Sequence, residues 1–260
     1  MKKLNVIASG LALLLSLGSS LAEDKKVSLR ADEWFPYNGV PGSNLQGFMI
    51  DIATEAFKEK GYTVEYETMP WTRAVAEGRK GKIDGIVGAL KGDAPDFIYP
   101  ELEQGISSSS FWVKNDNPWR FAGVDSLKNI CLGVIKDYSY GQEMDAYIKL
   151  HLEEPNLIQS VFGEDALNQN IRKTIKGRIN TFVEDVMVCQ AELKNSKFTG
   201  QLISAGIIST DKIFVAFSPN KEISKIYAKI VGDAMISFRE SGKLQQILSK
   251  YGIEDWAKAK

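Results

Sequence analysis

The 260-residue chain contains one histidine and two cysteines. That excludes a structural zinc site of the usual Cys/His kind, which needs four such ligands. Charge of one sign is also missing. Lys+Arg number 32 against 33 Asp+Glu, a formal charge of −1. A basic footprint for nucleic acid is therefore absent. No apolar run reaches the roughly 20 residues a membrane-spanning helix needs. Apolar residues still make up 44% of the chain and aromatics 10%, enough for a packed core and too much for global disorder. At about 150 residues per domain, the length fits one or two domains.

The first residues read as a targeting segment. Lys2 and Lys3 precede an apolar run from Val6 to Leu17, followed by Gly18, Ser19, Ser20, Leu21 and Ala22. A basic start, a short apolar centre and a small-x-small end predict a secretory signal peptide over 1–22, cleaved after Ala22. No cysteine lies near that point, so lipid attachment there is excluded. The expectation is an exported, periplasmic protein. Export permits Cys131 and Cys189, 58 residues apart, to form a disulfide. Two separate buried thiols are the alternative.

An internal repeat is the strongest organisational signal. Residues 81–87 read GKIDGIV and residues 177–183 read GRINTFV, an offset of 96. Each follows a charged, helix-like stretch (73–80 and 165–176). Gly81 and Gly177 stand where a helix end favours positive φ. Each copy thus reads helix, glycine stop, buried strand, and two copies predict two similar α/β lobes. Strand patterns also cover 27–31, 62–66 and 130–135. Helical spacing covers Met49 to Phe57, Pro70 to Arg79, Gln142 to Leu152, Ile223 to Phe238 and Leu244 to Tyr251. Alternating strands and helices predict open, mostly parallel sheets, with ligands at the strand carboxyl ends. Phe111–Val113 and Ile213–Phe217 are short β-rich runs expected to cross between lobes. One lobe is then discontinuous, 23–113 plus 214–260, and the other spans 114–213.

Several segments in this order resemble the bacterial periplasmic solute-binding proteins of family 3, the amino-acid-binding type with a type II periplasmic binding fold. They are EWFPYNG (33–39), GFMIDIATEAFKEKGY (47–62), PWTRAVAEGRKGKIDGIVGA (70–89), LGVIKDYSYG (132–141), GRINTFVED (177–185) and FRESGKLQQILSKYG (238–252). The resemblance spans essentially the whole exported chain. It implies two lobes, a two-strand hinge, closure on a small polar solute, and delivery to an inner-membrane ABC permease or a membrane sensor. It implies no cofactor and no catalytic or metal site; a monomer is the expectation.

The resemblance also transfers site roles residue by residue. An aromatic over the ligand falls among Trp34, Phe35 and Tyr37. Gly88 and Ala89 end the first-lobe strand and offer backbone groups. The DYSYG turn, with Tyr138, Ser139 and Tyr140, implies an anion site at a helix start, where free N–H groups and the helix dipole act together. Asp185 implies a partner for a ligand amine, with adjacent Glu184 as the competing residue. The family's carboxylate-gripping arginine is missing, because no arginine lies between Arg79 and Arg120. Lys91 or Arg73 would have to replace it, without the bidentate fork of a guanidinium from that loop. Asp32, Glu33, Asp93, Asp96, Glu184 and Asp185 collect near the expected cleft edges, which makes a cationic amine or modified amino acid a candidate ligand. The fold also hosts lyases and dehydratases, so a positioned carboxylate leaves an enzyme as the competing reading. His151 falls in a second-lobe helix, away from the expected cleft.

Overall fold

The computed structural model describes residues 25–163, 165–194 and 196–257; the expected signal peptide lies outside them. Eight strands among these residues join in the order β2-β1-β3-β8-β4-β7-β5-β6. They are β1 (Lys25–Ala31), β2 (Tyr62–Thr68), β3 (Gly85–Ala89), β4 (Gly105–Lys114), β5 (Leu132–Ile135), β6 (Ile158–Val161), β7 (Thr181–Asp185) and β8 (Leu202–Phe217). The helices are α1 (Phe48–Lys58), α2 (Trp71–Arg79), α3 (Gln142–His151), α4 (Ala166–Ile175), α5 (Val186–Lys194), α6 (Ser224–Ser241) and α7 (Lys243–Ser249).

The order has an internal logic. β1 pairs in parallel with β2 and β3, and β5 pairs in parallel with β6 and β7. Between these two parallel triplets lie the antiparallel β4 and β8. The result is the two-lobed type II periplasmic-binding architecture, each lobe an open, mostly parallel sheet flanked by helices.

The sequence repeat is a repeat of structure. β3 and β7 occupy equivalent places, each after a helix ended by glycine, with φ of +71° at Gly81 and +66° at Gly177. The residue before each strand ties it to its neighbour in the same way. The Asp84 N–H donates to Ser28 O (3.0 Å), and Ser28 N–H returns a bond to Asp84 Oδ2 (2.8 Å). Asn180 N–H donates to Cys131 O (2.8 Å), and Cys131 N–H returns a bond to Asn180 Oδ1 (2.7 Å). A short acceptor side chain at this position satisfies a donor that the start of the neighbouring strand leaves unpaired.

Among the described residues, six of the seven helices lie where the sequence predicts one, and α5 matches no predicted element. In α1 the buried residues include Met49, Ile52, Ala53, Ala56 and Phe57, and in α6 they include Tyr227, Ile230, Val231, Ala234, Met235 and Phe238. Together with α7 and β1 they form one core. A second core, with Phe111, Val113, Leu132, Val134, Met144 and Val183, supports the other lobe. Ile226 departs from the expected stripe and is 53% exposed.

One further expectation is revised. The crossing strands are much longer than their apolar runs, because β4 continues through Ser107–Ser110 and β8 through Ser204–Lys212. A ribbon passing between lobes has little core behind it, so its residues carry no strand-like hydrophobic pattern. Of the two readings of the cysteines, a disulfide or separate thiols, separate thiols hold: Cys131 and Cys189 are both free. Cys189 is buried on α5 against Trp112, Ile171 and Phe182, and Cys131 is only partly buried at the start of β5. The Cys131 thiol points to Pro155 O, 3.6 Å away.

Candidate functional site

Four strands end at one place. Asp32 follows β1, Gly88 and Leu90 close β3, Tyr138 follows β5, and Glu184 and Asp185 complete β7. Their side chains and backbone line a cavity of about 30 Å³, room for the centres of one or two water molecules. Ser107 and Ser109, alternate residues of β4 and hence on one face, form its floor with Val87. Trp34, Trp71, Tyr140, Asp93 and Ser139 complete it. This is the carboxyl-end position at which open α/β sheets hold ligands.

The two lobes bond directly across this cavity. Trp34 Nε1–H donates to Glu184 Oε1 at 2.9 Å. Tyr138 Oη donates to Asp32 Oδ2. Ser139 N–H donates to Asp93 Oδ1 at 2.8 Å, and Thr72 Oγ1 donates to Asp137 Oδ2 at 3.0 Å. Trp34 is held in place from behind by Tyr37, with ring centroids 4.2 Å apart and planes 21° from parallel.

The cavity is acidic. Asp32, Asp93, Glu184 and Asp185 line it, and neither lysine nor arginine does. Loss of water on burial pushes the Asp32 carboxyl up to about 6, Asp93 to about 7 and Glu184 to about 8. Asp185 is pushed up by the same cause, opposed by the hydrogen bonds it accepts.

These four carboxylates differ in their remaining capacity. Asp185 is 2% exposed and accepts five bonds. Oδ2 takes Tyr37 Oη (3.0 Å), Ser107 Oγ (2.8 Å) and Ser108 N–H (2.9 Å), and Oδ1 takes Met187 N–H (2.8 Å) and Val188 N–H (3.1 Å). An ionised carboxylate has about four lone-pair sites, so Asp185 is saturated. It caps α5 and binds that helix to β4. Asp93 bridges Leu90 N–H (2.8 Å) and Ser139 N–H. Glu184 uses Oε1 for Trp34 and for Asp185 N–H (2.9 Å). Asp32 takes Tyr138 Oη on Oδ2 and its own backbone N–H, so both it and Glu184 accept fewer bonds than Asp185.

The sequence-derived residues divide accordingly. Trp34, Gly88, Tyr138, Ser139, Tyr140 and Asp185 reach the cavity wall. Tyr37 stands behind it, on Asp185 and on Ile106 O (2.8 Å). Gly88 has φ of +89°, and a Cβ there would lie 3.0 Å from Asn38 Oδ1 and 3.4 Å from the Trp34 ring. Ala89 faces the core beneath α2. Lys91 turns to the rings of Phe214 (5.3 Å) and Tyr99 (6.0 Å), and Arg73 is exposed on α2. Two N–H groups of the DYSYG turn are already paired with carboxylates, Ser139 with Asp93 and Tyr140 with Asp145 Oδ1 (2.8 Å). Glu33 is exposed, and Asp96 forms a two-point surface pair with Arg79. His151 pairs with Glu154 (2.7 Å) on α3, away from the cavity.

Trp71, Val87, Ser107 and Ser109 line the cavity although the sequence does not single them out as site residues. Trp71 opens α2 after Pro70, 6% exposed, and its indole Nε1–H has no acceptor among the described residues. The periodicity places it on the helix, but not on a cavity.

Comparison with known proteins bears on the fold and the family. The chain matches the bacterial extracellular solute-binding proteins, family 3, over residues 28–254. No curated protein matches it in sequence. Among solved structures it is similar to ArtJ, the arginine-, lysine-, histidine-binding protein of Geobacillus stearothermophilus, with a TM-score of 0.72 and 19% identity over 89% of this chain and 97% of that one. A histidine kinase sensor domain similar to periplasmic binding proteins gives a TM-score of 0.72 and 14% identity, covering 88% and 96%. A structure from the study of glutathione import by GshT and TcyBC of Streptococcus mutans gives 0.71 and 19%, covering 88% and 95%. At these identities the likeness is one of fold. The match over 28–254 spans most of the chain, which belongs to family 3 of the extracellular solute-binding proteins.

Proposed function

From that membership we propose that this protein captures a small polar solute in the periplasm, by closure of its two lobes, and delivers it to an ABC-type permease in the inner membrane. The observation that carries the reading is the cavity at the ends of β1, β3, β5 and β7, bridged by hydrogen bonds from one lobe to the other. A solute seated there touches both lobes only when they are together, so it favours the closed state. About 30 Å³ is too little for an amino-acid-sized molecule. The lobes therefore part and re-form around the solute, which takes the place of bonds such as Trp34–Glu184.

We place the crossing between lobes at Gly105–Ser109 of β4 and Ser209–Ile213 of β8. Beyond Ser109, β4 pairs with β7 of the second lobe, and beyond Ile213, β8 pairs with β3 of the first. This is a few residues earlier in β4 than the apolar runs alone indicate. In this reading the first lobe is 23–105 plus 214–260.

The test is a thermal-shift screen of residues 23–260, unfolded and refolded to remove carried solute, against amino acids, amines, small peptides, organic acids and sugars. A solute present at 100 times its Kd adds about 2.7 kcal/mol to the folded state. At roughly 2–4 °C per kcal/mol for a chain of this size, the melting temperature rises by about 5–10 °C. Absence of any shift across the panel overturns the reading.

A further inference from the structure

Building on the solute-binding reading, we infer that the solute is a small amine without a carboxylate, whose ammonium N–H groups bond to the Glu184 and Asp32 carboxylates and whose body lies against Trp34 and Trp71. Three independent observations lead there.

The first is the absence of any cation to receive a carboxylate. Neither lysine nor arginine lines the cavity, Lys91 is turned to Phe214 and Tyr99, and Arg73 is exposed. The second is that two of the backbone donors at the start of α3 are occupied from within by carboxylates. Asp93 takes Ser139 N–H and Asp145 takes Tyr140 N–H. Asp93 itself sits where a solute carboxylate would have to bind, and a second anion beside it would meet Asp32 and Asp145 as well. The third is the set of groups with bonding capacity to spare. The bonds to Glu184 fall on Oε1, Asp32 takes Tyr138 on Oδ2 and otherwise only its own backbone N–H, and the buried Trp71 Nε1–H has no acceptor among the described residues. Once Glu184 is ionised, these two carboxylates have acceptor capacity that calls for N–H donors on the solute. One free indole donor calls for a neutral acceptor, or for displacement of the ring toward one.

Binding has a proton signature. Glu184 is faced by Asp185 on its own strand, by Asp32 at the end of β1, by Tyr138 and Tyr140 from the β5–α3 turn and by Trp34. None of these brings a positive charge. At neutral pH its carboxyl, raised to about 8, is largely protonated. An arriving ammonium favours the ionised form, so amine binding expels a proton.

The experiment uses matched pairs: agmatine and arginine, cadaverine and lysine, tyramine and tyrosine, histamine and histidine. Each is titrated calorimetrically into refolded residues 23–260 at pH 7. Titration is repeated in buffers of different ionisation enthalpy. The expected result is binding by at least one amine, at least 10-fold tighter than its amino acid, with release of up to one proton per amine. E184Q is expected to weaken that amine about 10- to 100-fold and to reduce the proton release. D32N is the second variant, expected to weaken it with the release retained, and thermal melting verifies that each folds. Tighter binding by the amino acid of a pair overturns the inference and leaves the solute-binding reading standing. Failure of every amine also overturns it; the wider solute panel then decides whether the solute-binding reading falls as well.

Discussion

Replacing Asp185 by alanine separates two accounts of that residue. The family resemblance makes Asp185 the partner of a solute amine; the geometry makes it a structural cap whose oxygens are already taken. Removal strands three backbone donors: Ser108 N–H on β4, and Met187 and Val188 N–H at the start of α5. Tyr37 keeps Ile106 O, and the Ser107 hydroxyl is free to rotate. Each buried, unpaired donor costs about 1–3 kcal/mol. Removal also relieves the desolvation of the carboxylate itself, and water entering the vacated space recovers some bonds. The expected net loss is about 3–5 kcal/mol, the usual scale for breaking a buried charged network. At roughly 2–4 °C per kcal/mol, the melting temperature falls by about 6–20 °C. Asp185→Asn keeps one acceptor oxygen and is expected to lose less. Thermal and urea unfolding of the refolded protein measure both. A fall below about 3 °C, accompanied by loss of solute binding, would refute the structural account and restore Asp185 to the solute.

Four further outcomes follow from the same geometry. Raised carboxyls make a linked contribution that is fully present at low pH and lost as pH rises through the folded-state value. For Glu184 that window runs from 4.5 to about 8, and for Asp93 from 3.8 to about 7. The melting temperature of solute-stripped protein is therefore expected to rise between pH 8.5 and 5.5; a fall over that range contradicts the assignment. Gly92→Val tests closure alone, because a Cβ at Gly92 lies 2.7 Å from Ser139 Oγ across the cleft and no positive φ is involved. Scattering should show a larger radius of gyration with melting nearly unchanged. In the repeat, Asn180→Ala is expected to cost about 1–2 kcal/mol and Asp84→Ala more, about 2–4 kcal/mol, since the latter also strands Lys221 Nζ, 2.6 Å from Asp84 Oδ1; urea denaturation measures both. Thiol titration should find two reactive groups in denaturant and slow reaction of Cys189 in the native protein, with reductant leaving the melting temperature unchanged.

Much of the fold is legible in the sequence because it is written in periodicity. Helical stripes at Met49–Phe57 and Tyr227–Phe238 bury one face each, and the GKIDGIV/GRINTFV echo reports a helix, a glycine stop and a buried strand. The β4–β8 ribbon is not legible over Ser107–Ser110, because strands that cross between lobes lack a core to impose alternation. Within the site, Trp34 and Tyr138 are readable through the family resemblance, which places an aromatic after the first strand and a ligand-facing turn after β5. The direction of Lys91 is not, because it is set by Tyr99 and Phe214, eight and 123 positions away in sequence. The distribution of bonds among the carboxylates is equally hidden. Adjacent Glu184 and Asp185 look interchangeable as letters, yet α5 and β4 saturate one and leave the other with acceptor capacity to spare. Trp71 reads as an ordinary first residue of a helix after proline, and only the opposing turn at Tyr138 makes it a cavity wall.

The central claim is capture of a solute by closure, and an inter-lobe distance tests it most directly. Spin labels at Thr72→Cys and Lys136→Cys flank the cleft mouth, with Cys131→Ser and Cys189→Ala removing the native thiols. Distances are measured by pulsed electron resonance in the stripped protein, alone and with each member of the solute panel. The account predicts a broad or long distribution that collapses to one short distance with the solute that binds. A distribution unchanged by every solute, including any that shifts the melting temperature, would contradict it.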